Sequence, residues 1–82
     1  MIRAQGTVGP PEVGIVAARR VGNAVRRNRA KRRLRAALRG VDLQADTAYV
    51  VIASPEVVSM EFDELVRRVR AATAAPSAAE ES

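Results

Sequence analysis

Between Arg19 and Arg39 the chain carries ten basic residues, Arg19, Arg20, Arg26, Arg27, Arg29, Lys31, Arg32, Arg33, Arg35 and Arg39, with no acidic residue among them. A guanidinium fork matches phosphate oxygens and stacks on flat rings, so this density of arginine suits a polyanion. Asn28 stands inside the run. Its amide both donates and accepts, which ribose hydroxyls and base edges require. Outside the run the chain holds four basic and nine acidic residues, a net of −5, whereas the whole chain carries +5. The positive charge is therefore a local device and not a general property of the surface.

Other chemistries have little to work with. The chain has neither histidine nor cysteine. That removes the usual general base near neutral pH, the usual nucleophile-base pairs, disulfides and the common zinc ligands. The carboxylates fall in loops and near the C-terminal end, and no glycine-rich phosphate loop is present. No catalytic residue and no cofactor or metal held by the protein alone is expected. There is no apolar run of signal-peptide or membrane-span length, so the expected compartment is the cytoplasm.

The elements that must position the basic run can be read from punctuation and periodicity. A chain of 82 residues has room for one domain. Residues 1–11 contain Gly6, Gly9, Pro10 and Pro11 and read as an irregular lead-in. Residues 12–70 read as an RNA-binding α+β domain, and the low-complexity stretch 71–82 as a disordered tail. Within the domain, Glu12 to Ala18 is short and apolar, which predicts a strand. Asn23 then suits the N-cap of a helix running from Ala24 to Arg39, and Gly40 stops it. Ala30, Leu34, Ala37, Leu38 and Val41 form its apolar stripe. Asn28, Arg32, Arg35 and Arg39 form one polar row, and Arg26, Arg29 and Arg33 another.

Ala48 to Ala53 is apolar throughout, which predicts a strand covered on both faces, as in a parallel pair. Ser59 is the expected cap of a last helix with Phe62, Leu65, Val66 and Val69 as its core face. Val13, Ile15, Val50, Val51 and Ile52 are expected core, and Phe62 is read as core in preference to a base-stacking residue. Arg67, Arg68 and Arg70 are read as partners of the helix dipole. The order is β-α-β-α, and two strands are a weak foundation for a sheet.

The segment VGNAVRRNRAKRRLR, Val21 to Arg35, resembles the signature of the bacterial ribonuclease P protein subunit. In that family a strand ending in basic residues leads into Val-Gly-Asn-Ala-Val, then an Arg-Asn-Arg core, then Lys-Arg-x-Leu-Arg. The core falls on Arg27, Asn28 and Arg29, and the continuation on Lys31, Arg32, Leu34 and Arg35. VGIVAARRV (Val13 to Val21), YVVIASP (Tyr49 to Pro55) and MEFDELVRRV (Met60 to Val69) are similar to the family's flanking strands and last helix. The resemblance covers Glu12 to Arg70 in order. Ala30 replaces a larger aliphatic residue, Ile15 a frequent phenylalanine and Ser54 a frequent arginine. Family members also carry a helix and two strands ahead of Glu12, which help form a cleft for the 5′ leader of precursor tRNA. The expectation is a chain lacking them, through either a start codon set downstream or a reduced protein.

The resemblance implies an α+β two-layer fold of the ribonuclease P protein and ribosomal-protein type, with the basic helix in a left-handed crossover between parallel strands. It implies that the ten cations and Asn28 bind ribonuclease P RNA and assist 5′ maturation of precursor tRNA. Phosphodiester cleavage would belong to the RNA and its Mg2+ ions, so the protein contributes to an endonuclease without a catalytic residue of its own. Neither DNA nor a membrane is an expected partner. A small basic ribosomal or ribosome-assembly protein is the alternative, but it predicts basic residues spread over several elements. A membrane-surface helix needs bulkier anchors than Leu34 and Leu38 opposite its cations. A DNA-binding helix-turn-helix would place a helix, not a strand, before the basic helix.

Overall fold

The computed structural model describes residues 2–74 and, for the backbone, 77–78. In chain order the elements are β1 (Ile2–Gly6), β2 (Glu12–Ala17), α1 (Ala24–Leu38), β3 (Thr47–Ala53), α2 (Phe62–Ala74) and β4 (Ser77–Ala78). Two 3-10 turns, Arg19–Val21 and Pro55–Val58, precede α1 and α2 respectively. The sheet order is β2-β3-β1-β4. β3 pairs with β2 in parallel, which makes α1 a crossover, and with β1 in antiparallel fashion, so Val51 stands opposite both Ile15 and Ile2. The fold is α+β, as expected.

The amino-terminal segment departs from the irregular lead-in expected for residues 1–11. Ile2–Gly6 is a strand with Ile2 buried, Ala4 half-buried, and Arg3 and Gln5 exposed. That alternation is the ordinary mark of a half-covered strand. The turn residues that suggested irregularity begin only at Gly6. One strand ahead of Glu12 is therefore present, and the sheet rests on more than the two strands foreseen. The loop that follows is clipped to the start of β3 through Asp46. The Gly9 N–H donates to Asp46 Oδ1 at 2.7 Å, the Asp46 N–H donates to the Gly9 carbonyl at 2.7 Å, and Thr7 N–H donates to the Asp46 carbonyl at 3.0 Å. Asp46 adopts φ of +57°, a left-handed conformation that aspartate tolerates better than most residues.

The sheet is covered on one face, not two. Tyr49, Val51 and Ala53 point into a single core with Leu34, Leu38, Leu65 and Val69 from the helices. On the opposite face Val50 is 40% exposed and Val16 50%, while Val13, opposite Tyr49 on the covered face, is still 40% exposed near the start of β2. The uniform apolarity of β3 thus overstated its coverage, because both helices lie on the same side. Val21, Val57 and Val58, on the two 3-10 turns, are also buried. The Tyr49 hydroxyl accepts from the Gln44 N–H at 3.0 Å, tying the α1–β3 loop to the sheet.

The last helix is capped two residues later than expected. Ser59 closes the 3-10 turn, its N–H donating to the Glu56 carbonyl at 3.2 Å. Glu61 caps α2 instead, its Oε1 accepting from the Glu64 N–H at 3.1 Å. The helix continues to Ala74, so residues 71–74 of the expected tail are helical. Ser77–Ala78 pairs with β1. The rest of the expected tail lies outside the described residues.

Candidate nucleic-acid interface

Asn23 starts α1 as expected, its side-chain oxygen accepting from the Arg26 N–H at 3.0 Å. This satisfies one of the donors that a helix start leaves open. Gly22, just before it, has φ of +137°, and a Cβ there would come within 2.6 Å of Arg26 Cδ. The positive φ is what calls for glycine here, since the Arg26 side chain could shift aside. On the inner side of α1, Ala30 and Ala37 are 0% exposed and Leu34 is 3% exposed. The small residues let the helix lie close to its neighbours, and the remaining circumference is left to cations.

Hydrogen bonds divide those cations into two groups. Arg26 Nε donates to the Val21 carbonyl at 3.3 Å and Arg27 Nη1 to the Gly22 carbonyl at 2.8 Å, bracing the turn ahead of the helix. Arg33 Nε donates to the Val57 carbonyl at 2.9 Å, and its Nη2 to the Met60 carbonyl. That guanidinium lies 5.8 Å from the centre of the Phe62 ring. The other group makes no such contact. Arg29, Arg32, Arg35 and Arg39 are exposed with Asn28, while Lys31 is half-buried. Arg19 and Arg20 are exposed on the 3-10 turn before the helix. Among the described residues no carboxylate pairs with any of the ten.

The row Asn28, Arg32, Arg35 and Arg39 thus faces outward as periodicity foresaw, but the row Arg26, Arg29 and Arg33 does not act as one. Arg26 and Arg33 are turned to protein carbonyls, and only Arg29 remains open. Two hollows flank Arg32. One, of about 430 Å³, is lined by Val25, Asn28, Lys31, Arg32 and Arg35. The other, also about 430 Å³, is lined by Arg29, Arg32, Arg33, Ala36, Val58 and Phe62.

Phe62 is 40% exposed and so is not the core residue expected. It opens α2, where the chain has not yet turned fully onto the core, and it packs against a guanidinium instead. Of the arginines on α2, Arg68 pairs with Glu64 at 3.0 Å and Arg70 Nη2 reaches the Gly40 carbonyl beyond α1 at 3.3 Å. Glu56, on the turn that holds Arg33, has its carboxyl kept below the ordinary 4.5 by its own backbone N–H, by the Ser54 hydroxyl and by the charge of Arg68.

This arrangement can do one thing chemically. It presents fixed and free guanidiniums on a helix, with no carboxylate paired to them among the described residues, to an extended anion. Among the described residues no helix is long and apolar enough to cross a membrane.

Comparison with known proteins agrees with the motif. The family model for Ribonuclease P matches residues 1–76. The ribonuclease P protein component of Bartonella quintana is 44% identical over 68 residues, 74% of this chain and 51% of that protein. That of Beutenbergia cavernae is 50% identical over 62 residues, 73% of this chain and 52% of that protein. The chain spans about half the length of these curated relatives. Among solved structures, the RNase P protein from Thermotoga maritima superimposes with a TM-score of 0.74 at 26% identity, covering 85% of this chain and 70% of that one. The chain belongs to the Ribonuclease P protein family.

Proposed function

We propose that the chain is the protein partner of ribonuclease P RNA and docks on it through the outward face of α1. In this reading the RNA and its Mg2+ ions cut the phosphodiester bond, and the protein assists removal of the 5′ leader from precursor tRNA. DNA and membranes are not partners. The observation that carries it is the row Asn28, Arg32, Arg35 and Arg39, with Arg29 beside it, exposed and, among the described residues, without an acid partner. Cations on successive turns repel one another, and a polyanion relieves that repulsion while releasing its own counterions. Arg19, Arg20 and Lys31 extend the same surface, and Arg26, Arg27 and Arg33 shape it from beneath.

The test is binding to a ribonuclease P RNA transcript as salt is varied. Affinity should fall with a log-log slope of roughly −0.7 to −0.9 per phosphate contact. Arg32→Ala should weaken binding and make the slope shallower by about one contact. An affinity that stays level over a tenfold salt range would remove α1 as the docking surface.

A further inference from the structure

We propose that Phe62, Arg29 and Arg32 form a pocket for one unstacked nucleotide of the bound RNA, with the base against the Phe62 ring and its phosphate between the two guanidiniums. The inference deepens the RNA-docking reading and rests on it. The chain has two aromatic residues, and they are used in opposite ways. Tyr49 is 3% exposed, whereas Phe62 is 40% exposed in a protein whose core is short of large side chains.

Phe62 lies in a hollow of about 430 Å³ that Arg29 and Arg32 also line, and Ala36 and Val58 complete its apolar side. No carboxylate is among the lining residues. The ring is also held in place. Arg33 lies 5.8 Å from its centre, and that guanidinium is itself fixed by the carbonyls of Val57 and Met60. A platform already ordered loses little freedom when something stacks on it.

The chemistry of the hollow selects its occupant. Free guanidiniums call for an anion, and an exposed flat ring calls for a flat apolar group. A nucleotide offers both in one unit, and stacking on an aromatic ring accepts any base. Bases inside a helix are already stacked on their neighbours, so the fitting site on the RNA is a bulged or looped-out residue.

The chain contains no tryptophan, so Phe62→Trp places a single indole in the pocket. Its emission should fall on titration with ribonuclease P RNA and stay level with inorganic polyphosphate, which has the charges but no bases. Phe62→Leu should bind the same RNA about tenfold more weakly, the loss expected for one stacked base. Its salt slope should equal that of the unaltered protein, since no phosphate contact is removed. Circular dichroism separates a folding defect in Phe62→Leu from a binding defect, and the indole readout does not depend on that variant. Indole emission that is unchanged at saturating RNA, or that changes equally with polyphosphate, overturns the pocket. So does a folded Phe62→Leu that binds like the unaltered protein. In those cases RNA docking by α1 stands. If the unaltered protein does not bind the RNA, both readings fall together.

Discussion

Arg33 sends Nε to the Val57 carbonyl and Nη2 to that of Met60, whereas Arg32, one residue earlier, is exposed and lines both hollows. Substituting the two should therefore separate stability from binding. Arg33→Ala removes two bonds from a charged donor to partly buried carbonyls, and urea titration should show a loss of about 1.5–3 kcal/mol. Arg32→Ala should alter stability by less than about 0.5 kcal/mol, as surface changes usually do, and act on RNA affinity instead. In the sequence the two residues look alike. Helical periodicity turns Arg32 outward, but nothing local reveals that the acceptors of Arg33 sit 24 and 27 residues further along. Phe62 was hidden for a related reason. It shares a stripe with Leu65, Val66 and Val69, and only the position of the α2 start relative to α1 exposes it.

Helix α1 was the most legible element, because its cap at Asn23 and its apolar stripe are both local signals. The first strand was the least legible. Its pattern rests on Ile2 and Ala4 alone, and its partner on β3 lies more than forty residues away, Ile2 opposite Val51. The two alanines on the inner side of α1 carry a consequence for packing. Ala30 is 0% exposed, so a larger side chain there would have to displace the elements packed against it. Ala30→Leu should destabilise the protein by about 1–3 kcal/mol by pushing α1 away from its neighbours. Thermal melting followed at 222 nm would measure this. A rise in stability would show that the helix had been held too loosely at this point.

The molecule has a Cα radius of gyration of 12.5 Å, near the roughly 12 Å of a compact chain of this length. The buried core among its described residues is wholly apolar, with no buried polar or charged side chain. A core of this size, built in part from alanines, leaves a narrow margin against the repulsion of ten cations on one segment. The free protein should therefore be partly unfolded at low ionic strength. Sulfate should raise its helical content and melting temperature, since an anion that binds only the folded form shifts the equilibrium by mass action. Far-ultraviolet circular dichroism across a sulfate titration measures both. Full structure that ignores sulfate would mean that the core overcomes the repulsion unaided. Charge segregation was visible from composition, but the sheet's one-sided cover was not, because an unbroken apolar strand reads the same whether one or two layers lie upon it.

Among the described residues β2 ends the sheet, pairing with β3 on one side only, and its valines at positions 13 and 16 are exposed. Such a strand invites self-association through its free backbone edge. Pro10 and Pro11 lie just before it, and Arg19 and Arg20 just after, the places where gatekeeper residues discourage growth into larger aggregates. The gatekeeping by arginine works through charge and is weakened by screening. The same salt that loosens the protein from RNA therefore also lowers the barrier to clumping, so solubility and RNA occupancy should decline over the same range of ionic strength.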